Sequence, residues 1–367
     1  MILEKKPKQK KRLLIVLIFV IIVLVLSMLT SVVCNKFTSN TWENLGNTEK
    51  SVLSELDTLY KETKTSLLWE GYDLNKKPLM LLPKGNIIDS FFGYGYAVNC
   101  EGLENKIYAR KIELPLASSI KSLYRISFFL PATFGARVWG GNFNTIGSDL
   151  HIARSKQVYY LKYSNKENLK PRNSSEHFAT FFIHEAFHYY MQNDWNPDNP
   201  ATEDLNERQI ALLKTEYKIF NEMQNELKNP TPNKQNLQDT VREYLTIMQE
   251  RLSLDKDFVE AELLKETAEG TSSFVGIKAA RMVNYDLDIM YFDNRKSVPF
   301  EEVFPTIENG DLDISYLTNR GPYESGALLC FVIEQLEIKD WQENLNKQTI
   351  DTPCTLYSIL NDYIQTL

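Results

Sequence analysis

The sequence predicts an α+β protein that begins with a membrane-spanning helix, builds a small sheet early in its folded part and turns helical after it. Three observations predict this. Leu13 to Val33 is 21 residues without a charge, enough for a helix to cross a hydrocarbon core about 30 Å thick. Between Trp69 and Tyr163, short branched and aromatic runs are punctuated by Gly and Pro, which is strand patterning. From Glu207 onward these give way to long segments with apolar residues at helical spacing. Strands first and helices later point to segregated layers, not to alternating βαβ units.

The chain has 367 residues, enough for one large domain or two ordinary ones with a substantial core. Its formal net charge of −7 argues against a nucleic-acid partner, which would favour a basic stripe. The four cysteines, Cys34, Cys100, Cys330 and Cys354, are too few for a disulfide scaffold and show no C-x-x-C spacing. Metal chemistry, if present, must therefore come from histidines and carboxylates. No internal repeat is evident, and the oligomeric state is not legible.

The elements follow in order. Residues 1–12 hold Lys5, Lys6, Lys8, Lys10, Lys11 and Arg12 against Glu4, a basic tail expected to stay in the cytoplasm. Residues 13–33 read as a transmembrane signal anchor. The stretch exceeds the roughly 7–15 apolar residues of a cleaved signal peptide, and no small-residue cut site follows it. Everything after residue 34 is thus expected outside the cytoplasm, starting with a polar stalk over residues 34–47. A mixed α/β lobe over 48–205 and a helical lobe over 206–367 should follow, with the boundary near residues 196–206. In the first lobe the patterning predicts a helix from Lys50 to about Leu68, then strands at Pro78–Leu82, Phe91–Val98 and Ile107–Leu114. Strand character resumes from Arg137 to Tyr163, best at Gln157–Leu161, with Trp139–Asn144 as a strand edge or turn. A loop at Ser164–Asn173 leads into a helix that starts near Ser174-Ser175-Glu176 and stops before Asn196-Pro197. Helices are then expected at Glu207–Leu227, Leu237–Leu252, Lys256–Met282, Tyr323–Ile338 and Leu356–Ile364.

The helix after Ser174 carries the most informative residues, His184-Glu185-Ala186-Phe187-His188. The chain has only four histidines, His151, His177, His184 and His188, and two of them stand four apart. Residues i and i+4 share a helical face, so both imidazoles can reach one metal ion while Glu185 sits beside them. This is the His-Glu-x-x-His pattern of zinc hydrolases. His151 and His177 read as structural or surface residues, although His177, seven residues before His184, can share its face.

A zinc site needs a third ligand. The continuation H-E-x-x-H-x-x-G-x-x-H would require glycine at position 191 and histidine at position 194, where this chain has Met191 and Asp194. Asp194 can ligate zinc, but nothing there turns the chain back toward the metal. Downstream, Glu262, Glu266 and Glu269 are spaced four and three apart and share one face. Such a stripe is ordinarily a solvated acidic face. Here the following run, Phe274 to Ala280, is small and apolar, as in a packed helix.

Together these stretches resemble the gluzincin metallopeptidases, which pair His-Glu-x-x-His on one helix with a glutamate on a later one, as thermolysin and the membrane alanyl aminopeptidases do. Glu269-Gly270-Thr271-Ser272 looks like the Glu-Gly-x-Ala/Ser run of the aminopeptidases. The resemblance therefore implies Glu269 as third ligand, with Glu266 in reserve. It implies Zn²⁺ as cofactor, a thermolysin-like zincin catalytic domain, and hydrolysis of peptides or proteins with Glu185 as general base. It also suggests a late tyrosine that holds the oxyanion, for which Tyr323 is the candidate. The spacing from His188 to Glu269 is longer than in either named group, and the likeness covers two short stretches of the chain. The other reading is an inert motif in a membrane-anchored binding or structural protein.

Overall fold

The computed structural model describes residues 7–85, 92–128, 130–138, 140–143, 158–195 and 205–367. His151, and parts of the expected segments at Phe91, Trp139–Asn144, Gln157 and 196–204, lie outside them. The chain divides into two compact units, Met1–Tyr60 with Asp73–Asn165, and Lys61–Tyr72 with Lys166–Leu367.

The first unit opens with α1 (Pro7–Phe37), whose stretch Leu14–Phe37 is long and apolar enough to span a membrane. Next comes α2 (Asn47–Glu62), which buries Val52, Leu53, Leu56, Leu59 and Tyr60, the stripe that its spacing predicts. The sheet has five strands, β1 (Leu79–Pro83), β2 (Gly95–Val98), β3 (Ala109–Lys111), β4 (Leu123–Ile126) and β5 (Tyr159–Tyr163), in the order β3-β4-β2-β1-β5. β1 runs antiparallel to β2, with Leu79 opposite Val98, and parallel to β5, with Leu79 beside Tyr159. β4 is antiparallel to both β2 and β3. Met80, Leu82, Ala97, Tyr124, Ile126 and Tyr160 form a core on this sheet.

Three expectations change here. β4 is a strand that no motif announced. A helix, α3 (Pro131–Val138), occupies part of the stretch beginning at Arg137 that was expected to be extended. Pro131 opens it, and a proline's fixed φ and missing N–H suit a first helical position. Finally, residues 38–47 are not a free stalk. Trp42 N–H donates to Glu113 O (3.2 Å) and Glu113 N–H to Asn40 O (2.8 Å). Buried Arg125 on β4 donates to the carbonyls of Asn35, Thr38 and Ser39 at 2.6–3.0 Å. Carbonyls in the last turn of a helix, here that of Asn35, lack a partner within it, so the guanidinium caps α1 there and, through Thr38 and Ser39 just past its end, fastens it to the sheet.

The second unit is helical. It contains α4 (Phe178–Met191), α5 (Glu207–Lys228), α6 (Lys234–Leu254), α7 (Lys256–Met282), α8 (Gly321–Gln335) and α9 (Leu356–Gln365). Asn206, Asn233 and Asp255 cap α5, α6 and α7 with their side chains, satisfying first-turn N–H groups. α7 is the hub, buried from Gly270 through Ile277 without a break. A Cβ on Gly270 would overlap Gly326 of α8, and one on Gly276 would stand 3.0 Å from Thr180 O of α4. Glycine thus lets α4 and α8 approach α7 backbone to backbone. Residues 61–72 join this unit through Trp69, whose indole meets Phe187 and Trp341 edge-on at 5.1 and 5.0 Å and donates to Asn346 Oδ1 (2.8 Å). The units therefore part at Asn165/Lys166, not near residues 196–206. The reason is packing: α4 lies on α7 and belongs with the helices.

Candidate metal centre

α4 presents His184 and His188, and α7 brings Glu269 to them. His184 Nε2 and His188 Nε2 are 3.1 Å apart, and each lies 3.2 Å from Glu269 Oε2. The three form a cluster whose ligand atoms lie close enough together to hold one ion. The edge of a coordination tetrahedron with bonds of about 2.0–2.1 Å is about 3.3–3.4 Å, so the triangle is within about 0.3 Å of the size that three protein ligands of zinc span.

The surroundings decide which atoms of the imidazoles face inward. Gln192 Nε2 donates to Ala268 O (2.9 Å) and Thr271 Oγ1 (2.8 Å), both on α7. Its amide is thereby oriented with Oε1 toward His188 Nδ1, which it contacts directly. An amide oxygen only accepts, so Nδ1 carries the proton and the neutral ring turns a lone pair, on Nε2, toward the cluster. Ser272 Oγ stands 3.3 Å from the same Nδ1, and Ser273 Oγ 3.5 Å from His184 Nδ1. Partners of this kind set the tautomer of ligating histidines. His188 Nε2 and the Glu269 carboxylate oxygen then face each other across the cluster as acceptors. Burial by itself would push the Glu269 carboxyl up and the His188 imidazole down. The hydrogen bonds and charge exchanged across the cluster outweigh it, holding Glu269 well below the usual carboxylate range and His188 above the usual imidazole range. An ionised carboxylate facing two imidazoles is a donor set that suits a divalent cation such as zinc.

Glu185 is half-buried beside the cluster, and burial raises its pKa. No side chain among the described residues donates to its carboxylate, which leaves it available to a water or substrate. Tyr323, in the first turn of α8, lies parallel to the His184 ring with centroids 5.8 Å apart. The Arg320 guanidinium stands 4.5 Å from its ring centroid.

The other candidates are placed elsewhere. Glu266 is buried one turn before Glu269 and accepts from Ser325 Oγ (2.5 Å) and Tyr244 OH (3.4 Å). Glu262 forms a two-pronged pair with Arg251 at 2.8 and 2.7 Å. Asp194 is exposed beyond the end of α4. His177 precedes α4 and stacks on Tyr285 at 3.7 Å; burial and the nearby Lys296 push it down to about 4. Sequence reasoning missed Gln192, Ser272 and Ser273. Gln192 had a visible signal, because it follows His188 by the same four residues that separate the histidines and so continues their stripe. Compared with family models, curated proteins and solved structures, the chain matches none.

Proposed function

We propose that this chain is a zinc-dependent metallopeptidase of the gluzincin type, with a thermolysin-like catalytic arrangement, displayed at the extracytoplasmic face of a membrane by α1. The observation that carries this reading is the approach of two imidazole nitrogens and one carboxylate oxygen from two packed helices, beside the Glu185 carboxylate, to which no side chain among the described residues donates. His184, His188 and Glu269 would hold the metal. Bound there, zinc supplies Lewis acidity, which makes water a usable nucleophile near neutral pH and polarises a carbonyl oxygen.

The chain's own groups carry the rest. Glu185 takes the proton from the attacking water and passes it to the departing amide nitrogen. Gln192 and the two serines keep the imidazole nitrogens aimed inward. Tyr323, the proposed oxyanion donor, is held beside His184 by stacking and by Arg320. The substrates on this reading are peptides or proteins outside the cytoplasm.

The test uses full-length protein in detergent, measuring zinc content and cleavage of a mixed peptide library. Glu185→Gln should keep its zinc and lose roughly 10²–10⁴-fold in cleavage. Activity that survives this change sinks the mechanism. A His184→Ala variant with unaltered metal content would point instead to a membrane-anchored binding or structural protein with an inert motif.

A further inference from the structure

The contacts of α1 within its own unit carry a second inference, about the membrane. From Leu14 to Leu26 every side chain of α1 is exposed. After that the helix gains a covered face made of Ser27, Met28, Ser31, Val32 and Asn35, at spacings of one, three and four that define one side of a helix. Met28 packs against the sheet's core cluster. Ser31 Oγ donates to Phe128 O (2.5 Å), while Asn35 Nδ2 reaches Tyr108 O and Arg125 O, both at 3.1 Å. Ser31 and Asn35 are thus satisfied by the folded unit, while Thr30 bonds back to Leu26 O within the helix. Leu29 and Val33, on the other sides at the same level, remain 49% and 52% exposed.

Counting sets the depth. Starting after Arg12, a core of about 30 Å needs about 20 residues at 1.5 Å each, which runs to about Val32. The docked segment Met28–Val32 then occupies about the last 6 Å of that core. Whatever flanks it sits at the same depth. The flank carries Phe92, Tyr94 and Phe128: Phe92 is 50% exposed, and its ring and that of Tyr94 pack on Phe128 at 5.8 and 5.5 Å. The Tyr94 hydroxyl meets Thr38 Oγ1 at 3.3 Å, beyond the end of α1, so its polar tip lies farther along the chain toward water. Rings at the level of the last apolar turn, with a hydroxyl above them, have the arrangement of an interfacial aromatic belt.

We propose that this aromatic face is immersed in the lipid of the leaflet where α1 ends, so that the first unit grips the bilayer directly as well as through its helix. This rests on the reading of α1 as a membrane span. Bilayer lipid is the occupant because the face is continuous with the span and lies at its depth.

The experiment places the full-length chain in phosphatidylcholine vesicles doped with a phospholipid carrying a diazirine high on its acyl chain. After irradiation, the labelled peptides are mapped by mass spectrometry. Label is expected on the apolar part of α1 and also on the segments holding Phe92–Tyr94 and Phe128. Phe92→Ser should lower labelling of its own segment several-fold and leave that of α1 unchanged. Label confined to α1, or crosslinking of the aromatic face to another polypeptide in place of lipid, overturns this proposal while the span stands. Absence of label from α1 overturns both.

Discussion

On α7, Glu269 faces two imidazole nitrogens across the gap to α4, while one turn earlier Glu266 faces the hydroxyls of Ser325 and Tyr244. Glu266 is buried and Glu269 keeps only 13% of its side chain exposed, and burial pushes both upward. The outcomes differ in sign. The histidines can hold positive charge and pull Glu269 far below the usual carboxylate range. The hydroxyls around Glu266 carry no charge to offset its burial, and the neighbouring Glu216 and Glu262 carboxyls add repulsion, so Glu266 rises to about 8. Glu262, one further turn away, takes a third course and pairs with Arg251. One acidic stripe therefore yields an ionised candidate ligand, a proton-holding core acid and half of an ion pair. A buried carboxylate takes its role from the charge that its partners can carry.

The comparison breaks most easily at the metal. Glu269→Ala in full-length protein should reduce bound zinc from about one ion per chain to near zero after dialysis, since it removes one of three ligands. Glu266→Gln should leave the stoichiometry unchanged. Elemental analysis of the two variants side by side decides the matter; equal loss in both would erase the distinction drawn here.

A smaller effect is expected from Gln192, which touches no metal but sets the His188 tautomer and ties α4 to α7. Gln192→Ala should weaken zinc affinity about 10–100-fold, the usual range for a partner of a ligating histidine. Ser273→Ala, acting through a longer contact of 3.5 Å, should cost less. Competition with a calibrated zinc chelator measures both. If Gln192→Ala bound zinc as tightly as the parent, the orienting role would be wrong.

Much of this was legible in the sequence because periodicity reports local structure well. α7 has the bounds that its spacing predicts, and the two histidines stand on one helix as their four-residue separation requires. The acidic stripe was visible too, but not the fate of each acid. Glu262, Glu266 and Glu269 share a face, and what separates them is Arg251 on α6, Ser325 on α8 and the histidines on α4, partners up to 85 residues away in the chain. β4 escaped notice because Leu123-Tyr124-Arg125-Ile126 is short and contains an arginine. That arginine is buried because it caps α1, a long-range fact with no local signature. The expected stalk failed for the same reason, since its polar residues are spent on Glu113 and Arg125.

The subtlest consequence concerns Glu266 and pH. Its carboxyl titrates at about 8 in the folded chain and at about 4.3 when unfolded. Between those values the folded state keeps a proton that the unfolded state has released, so stability falls as pH rises through this window and levels off above it. Glutamine has nearly the same shape, can accept from Ser325 through its oxygen, and cannot ionise. Glu266→Gln should therefore be nearly neutral at about pH 5 and increasingly stabilising, relative to the parent, toward about pH 8. Thermal unfolding of both proteins in the same detergent, with metal content held equal, gives the difference in Tm at each pH. Because Glu216 and Glu324 also titrate high, at about 7, the parent-minus-variant difference is the quantity to follow, and the slope of either curve alone is not. A difference that stayed flat across the window would mean that Glu266 is ionised in the fold, and with it the contrast with Glu269 would disappear.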